Sequence, residues 1–403
     1  MTGIDEIGRW NRLLERQVDM IAEAASGRAF TRTLRVSPNG DNTDGLSWRT
    51  AINNPADALD ECSTDVNEAT QIRMAPQTGN VHYDIDRTGD PTWAANVQIV
   101  GSHRTWVKIM NDHDSATSIL NLTGYASLRD LNFNLGAGNN GVIFNKGAFR
   151  ANHLQFVGED LAAAKTALHL EGATLIKHGK VSDCHFRGHS TYMTGLKVDN
   201  CALSIFENTR IHECLKGIHI IGTAPDSNYF HNIGIGECNH ANGIGIDIDT
   251  GSEQHFDKIL FHHNTKNIDD AVCDSLWNNL VGEFPVTIAP DNLVGTALTA
   301  DNVANVFGAD TELRAAALAT KPFKVLMTVV KPQVAQFYQL RLSADSGVTW
   351  FERIMVSTAR AAGSALPAST DFIFNCGTRI SGSIKAASGG SDTMQVWLKI
   401  QEI

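Results

Sequence analysis

Residues 206–214 read FENTRIHEC, and residues 230–238 read FHNIGIGEC. Phe206 and Phe230 stand twenty-four positions apart, and Phe, Asn, Ile, Glu and Cys fall in the same register in both segments. The pattern extends in both directions. FDKILFHHN begins at Phe256, twenty-six residues after Phe230; upstream, KVSDCHF ends at Phe186, ANHLQF at Phe156 and LRDLNF at Phe133. A second series interleaves with the first: GVIF at Gly141, ALHL at Ala167, GLKV at Gly195, GIHI at Gly217 and GIGI at Gly243, spaced 26, 28, 22 and 26 residues.

A period in the twenties leaves few architectures. The L-x-x-L-x-L pattern of leucine-rich repeats is absent, and helical repeats need longer periods with apolar residues three and four apart. Here the alternation has period two. In GIHI, Ile218 and Ile220 point one way and His219 the other, as in a strand. In this alignment Leu168, Leu196 and Ile244 match Ile218, while His169, Lys197 and Gly245 match His219. One row is aliphatic and the other polar or small. The expected fold is all-β, a parallel β-helix over residues 34–284 in which each coil buries its side chains only by stacking on its neighbours. Phe206, Phe230 and Phe256 then form an internal ladder, and Cys214, Cys238 and Asn264 a second one. Glycines are expected at the corners, where positive φ or close approach is needed.

Both ends differ from this pattern. In residues 1–33, Ile4, Ile7, Asn11, Leu14, Val18 and Ile21 follow a 3,4 spacing, which predicts a heptad seam with one polar position able to set register. The alternative is an amphipathic helix lying on the solenoid. Residues 285–403 lose the period. FKVLMTVV, FYQLRLSAD, TWFERIMVS, TDFIFNC, RISGSIKAAS and MQVWLKIQEI read as strands separated by turns such as ADSG and SGGSD. Short strands at this spacing predict an antiparallel, jelly-roll-like β-sandwich.

The start of the solenoid carries a resemblance. Asn42, Asp44, Gly45, Ser47 and Trp48 form an N-D-G-x-S-W turn with Thr43 inserted, followed by a short helix at about Pro55–Cys62 and a strand that ends in Ala75-Pro76. This order resembles the opening of pectate-lyase-like, right-handed β-helix proteins, in which such a helix caps the open end. A cap is needed because a bare solenoid end is an aggregating edge.

Bulk composition narrows the function. A net charge of -11 argues against a nucleic-acid binder, which needs clustered cations, and against a surface that seeks anionic lipid. No apolar run reaches transmembrane length, and the N-terminus lacks a secretory-type apolar core. Seven cysteines occur, with no C-x-x-C pair, so zinc ribbons and redox pairs find no support. Reduced, buried thiols are expected.

The chemistry-bearing residues are scattered. The resemblance implies polysaccharide substrates if the chain is an enzyme: lyases of this fold use carboxylate-bound calcium with a basic residue, and glycosidases use two carboxylates. The acidic candidates are Asp183, Glu207, Glu213, Glu237, Asp247, Asp249 and Asp257. Glu213 and Glu237 occupy equivalent positions on adjacent coils, and strands about 4.8 Å apart place them near the separation of a retaining pair; the alternative is a solvated outer ladder. Asp247 and Asp249 share one face as an i, i+2 pair and are the metal candidates, although calcium takes six to eight oxygens; the alternative is a solvated loop-edge role. His212 and His262 share one coil position with Gly236 between them, and His262 and His263 are expected to face opposite sides of a strand. No G-x-S-x-G, H-E-x-x-H or G-x-x-x-x-G-K motif occurs. No cofactor is expected.

The whole arrangement of short helix, β-helix shaft and terminal sandwich resembles phage virion proteins of the tailspike, head-fibre and capsid-decoration type. The resemblance implies a non-enzymatic virion protein, assembled in the host cytoplasm as a homotrimer. It would be anchored to other capsid or tail proteins through the N-terminal helix and would contact host surface polysaccharide. It implies neither nucleic-acid nor membrane partners. The second reading is a phage polysaccharide depolymerase, lyase or glycosidase, acting in a groove of the same shaft.

Overall fold

The computed structural model describes residues 30–402 apart from short segments, the longest being 290–295, 316–322, 345–351, 358–363 and 368–373. The expected seam of Ile4, Ile7, Asn11, Leu14, Val18 and Ile21 lies outside the described residues, as does most of TDFIFNC. The chain divides into two compact units, one ending at Glu283 and the other beginning at Phe284.

The first unit is a right-handed parallel β-solenoid. Its strands form a 16-stranded sheet that folds around a corner and an 8-stranded sheet. One coil shows the plan. Ile205–Glu207 and Arg210–His212 are two consecutive strands of the larger sheet, and Lys216–Ile221 belongs to the smaller one. The next coil repeats this with Tyr229–Gly236 and Ile244–Ile248. All pairings between coils are parallel.

The aromatic ladder forms as the repeat requires. Phe206 pairs with Phe230, Phe230 with Phe256, and Phe256 with Trp277. Their rings stack at 4.5, 4.7 and 4.1 Å with interplanar angles of 10°, 15° and 8°. These separations are the spacing of neighbouring strands, so the backbone repeat holds each ring at stacking distance and offset-stacked rings return further stabilisation. Phe133, Phe156 and Phe186 make a separate stack at 5.2 and 4.9 Å on the other half of the larger sheet. That stack continues through Ile211, Ile235 and Phe261, so the phenylalanines form two ladders and not one.

On the smaller sheet the inward row is Leu120, Val142, Leu168, Leu196, Ile218, Ile246 and Ile268, every member buried. The register corrects one expectation. Ile218 pairs with Ile246 and His219 with Asp247, so the partner of Gly217 is Gly245. The segment Gly243-Ile244-Gly245-Ile246 reproduces itself after a shift of two. Such a shift leaves every side chain on its own face, unlike a shift of one. Gly217 is required for close approach: a Cβ there would lie 2.5 Å from the carbonyl oxygen of Gly245.

The corners also depart from expectation. They are turned mostly by non-glycine residues in the left-handed conformation. Asp130, His153, Asp183, Asn208, Asn232, Lys258 and Asn279 form one corner row with φ between 50° and 59°. Asn and Asp tolerate this region best, and Asn232 donates to Asn208 Oδ1 at 2.8 Å. Cys214 and Cys238 are buried and free, and Asn264 follows them: it accepts from Cys238 N at 3.1 Å and donates to Ile235 O at 3.1 Å.

The short helix near the start spans Pro55–Asp60, capped by Asn54, whose side chain accepts from Ala56 N at 2.7 Å. Ala56, Ala58 and Leu59 are buried. Arg87 bridges Asp57 and Asp60, each at 2.8 Å, and Trp93 donates to Asp60 at 2.8 Å, so the following coils hold the helix in place. No described helix is long and apolar enough to cross a membrane.

The second unit holds two antiparallel sheets. Phe323–Pro332 pairs with Thr393–Glu402 in one; Phe337–Ser343 pairs with Glu352–Ser357 and Ile380–Ala386 in the other. Val325, Val396 and Leu398 from the first sheet share a core with Leu340, Leu342 and Ile384 from the second. Phe337–Ser343 and Thr393–Glu402 alternate buried and more exposed residues over most of their length, as a sandwich requires. The interval 294–318 contributes the strands Thr296–Thr299 and Thr311–Arg314.

Candidate functional site

The outward faces of the solenoid are polar columns, one residue per coil. On the smaller sheet the column reads Ile143, His169, Lys197, His219, Asp247, Asp269. Stacking at strand spacing forces these groups against one another, and opposite charges lie close together. Lys216 Nζ lies 2.5 Å from Asp247 Oδ2, and His219 Nε2 lies 3.8 Å from Asp247 and 2.9 Å from Asp249. Lys266 pairs with Asp269. Lys197 and His169 both approach Asp199, at 4.0 and 3.9 Å.

Asp247 and Asp249 are therefore brought together, and His219 joins them: one ligand atom from each lies within 4.8 Å of the others. Asp247 is buried and Asp249 exposed, so the two do not share the solvated setting expected of a loop edge. The Lys216 ammonium already sits against Asp247, so a metal ion would have to displace a resident cation. His169 is driven down to about 3, first by burial and then by Lys197 and His219; it is neutral at physiological pH.

The second cluster lies on the larger sheet. His212, Glu213 and Glu237 also offer one atom each within 4.8 Å. Glu213 and Glu237 are not strand residues; they occupy left-handed corners with φ of 55° and 58°, one coil apart. Both are partly exposed. Arg187 Nε lies 3.3 Å from Glu213 Oε2. His185 Nε2 lies 2.7 Å from His212 Nε2 with the rings stacked at 4.8 Å, a contact that needs one nitrogen as donor and the other as acceptor. Burial, then His212 and three arginines, pull His185 down to about 4. His212, Gly236 and His262 share one row, as expected. His263 departs from expectation: its φ of 52° ends the strand, and its ring lies 3.8 Å from that of His262 rather than on the opposite side.

The remaining acids are also engaged. Lys180 lies 2.9 Å from Glu207. His231 Nδ1 lies 3.0 Å from Asp257 Oδ2 and 3.2 Å from the Tyr229 hydroxyl, and Asn279 donates to Asp257 at 2.6 Å. Asp183 accepts from Asn152 at 3.3 Å. Among the described residues the cysteines offer no nucleophile: burial raises Cys184, Cys201 and Cys238 to about 12 and Cys62 to about 11, and a thiol is reactive only as thiolate. The sequence alone did not find Arg187, His185 and Lys216 as members of these clusters. The available signal was the coil spacing: a charged residue one coil away, one to three positions from the register partner, comes within reach.

No family pattern matches the sequence, and no curated protein matches it either. Among solved structures the chain is similar to phage tailspike and parallel β-helix proteins. ORF18 of Geobacillus virus E2 is 11% identical over 79% of this chain and 74% of that one, with a TM-score of 0.32. WceF of Pantoea stewartii, described as a glycan biofilm modifying enzyme with a bacteriophage tailspike-like parallel β-helix fold, is 13% identical over 83% of this chain, with a TM-score of 0.28. This chain spans 56% of the WceF chain. The enzymatically active domain of tailspike protein 2 of bacteriophage CBA120 is 10% identical over 90% and 79% of the two chains, with a TM-score of 0.25. The fold of this chain rests on its own strand ladder, not on these likenesses.

Proposed function

We propose that this chain is a structural protein of a virus particle, a stiff fibre on the capsid or tail that works without catalysis. In this reading the chain is a homotrimer, its N-terminal heptad segment docks it to other virion proteins, and its outer faces meet host surface polysaccharide. The observation that carries the reading is the state of the outward carboxylates. Glu207, Glu213, Asp247 and Asp257 each lie against a Lys, Arg or His on a neighbouring coil. Such pairs fix the register of a shaft; they are a poor starting point for acid–base work, which needs groups held near the operating pH. A solenoid whose ladders run without interruption suits a rod that must resist unfolding.

One observation favours the second reading, a polysaccharide depolymerase. Glu213 and Glu237 lie close to the separation of about 5 Å used by retaining glycosidases, with His212 beside them. Incubating the purified chain with host surface polysaccharide separates the two readings. The proposal expects no new reducing ends and no unsaturated sugar product. Product formation by the parent chain that is lost in both Glu213→Gln and Glu237→Gln would overturn the non-enzymatic reading.

A further inference from the structure

The loop that follows the first strand, Arg32–Val36, folds back on itself. Asp41 N donates to Arg49 O at 3.1 Å, Asn42 N to Ala51 O at 3.0 Å and Gly45 N to Thr50 O at 2.7 Å. Asp41 and Asp44 spend their carboxylates on the loop's own backbone, accepting from Thr43 N at 3.2 Å and Leu46 N at 2.9 Å. The hydrogen bond from Thr50, followed by that from Leu46, holds Asp44 below the usual carboxylate range. This ordered loop presents Trp48, 49% exposed. Arg35 anchors it from below, donating to Leu46 O and placing its guanidinium 5.8 Å from the Trp48 ring centroid.

Beside the ring lies a cleft of about 540 Å³. Its walls come from three successive coils: Ser37 and Trp48 from the first, Arg73 to Pro76 from the second, Val100 to Ser102 from the third. Arg35 and Arg73 pair in register on adjacent strands, so their backbones lie about 4.8 Å apart and both side chains leave the same face of the sheet. Arg73 is exposed, and Gln71 holds its Nε at 2.6 Å. Among the described residues, neither arginine makes an ion pair with a carboxylate. Several outward carboxylates elsewhere on this solenoid are matched by a Lys, Arg or His on a neighbouring coil; here two arginines in register, beside an exposed indole, have no such match among the described residues. Like charges at adjacent register positions are unfavourable, and an anion in the cleft would remove that cost.

We propose that this corner is a binding subsite for a carboxylated polysaccharide. A pyranose presents a face of weakly positive C–H groups, which suits the negative face of the indole ring. Its carboxylate, one per sugar, is matched by the Arg73 guanidinium, whose donors fit a carboxylate in bidentate fashion. Charge density makes the choice of polyanion. Duplex nucleic acid carries a charge about every 1.7 Å, too dense for a chain of net charge -11 with two arginines at the contact. A polyuronate brings only a few charges within a Debye length of about 8 Å. The subsite stands on the geometry of the cleft and does not depend on the virion reading.

The test is calorimetric titration of the purified chain with fragments of polygalacturonate, alginate and hyaluronate, with dextran as the neutral control. At least one acidic fragment binds, more weakly as salt rises, and dextran does not. Trp48→Ala and Arg73→Gln each weaken binding by about tenfold or more while leaving the melting temperature and the mass in solution unchanged. Failure of all three acidic fragments to bind overturns the proposal, as does binding that both variants leave intact. A change of mass in solution on Trp48→Ala would make the exposed ring a contact between chains and overturn it equally. Particle association can fail while this titration succeeds, and the reverse, so the two readings are separable.

Discussion

His169 shows what the solenoid does to a single side chain. Its strand position puts it in an outward row, yet the neighbouring coils bury it and set Lys197 alongside. Its pKa falls to about 3 from an unfolded value near 6.5. A histidine held neutral in the folded state binds fewer protons than the unfolded chain, so folding stability rises with pH in the interval between the two values. The contribution is full above about 6.5 and is lost as pH falls towards 3. His169→Gln removes this titration. The melting temperature of the parent is therefore expected to drop faster than that of the variant between pH 6.5 and 4. Parallel curves would show that His169 is not held neutral in the fold.

At the scale of elements, the corner row is the informative part. Lys258 takes φ of 56° with an exposed side chain in a row otherwise filled by Asp, His and Asn. A left-handed conformation costs an ordinary residue about 1–2 kcal/mol, and glycine has no such cost but loses more chain entropy on folding. Lys258→Gly is thus expected to stabilise the solenoid by roughly 0.5–1 kcal/mol, read as a higher denaturant midpoint with unchanged slope. Destabilisation would mean that the Lys258 side chain contributes more than its backbone costs.

The same row explains what the sequence did and did not reveal. Phe206, Phe230 and Phe256 disclosed the stack because buried rings recur without substitutes. The corners were hidden because Asn, Asp, His, Glu and Lys all fill them, and none of these types signals positive φ by itself. Glu213 and Glu237 were legible as a pair but not as corner residues, and His263 was misplaced for the same reason. The partner of His219 was missed because Gly-Ile-Gly-Ile matches itself after a shift of two. The charges carried the resolving signal: only the register that stacks Gly217 on Gly245 sets His219 against Asp247. Trp48 stood out as part of a turn motif, but its cleft needs three coils that no single segment contains.

The whole molecule joins a laddered parallel solenoid, several of whose outward carboxylates are matched by a Lys, Arg or His on neighbouring coils, and an antiparallel sandwich with a core of its own. Each property serves mechanical persistence more directly than turnover, which is why we propose a virus particle as the place of the chain. The most direct test is gold-labelled antibody against this chain, applied to virus particles from the culture that produces it and viewed by electron microscopy. The account predicts label on particles, spread over the head for a decoration or head fibre, or gathered at the tail for a spike. Particles that carry no label, from a culture in which the chain is abundant, would contradict it.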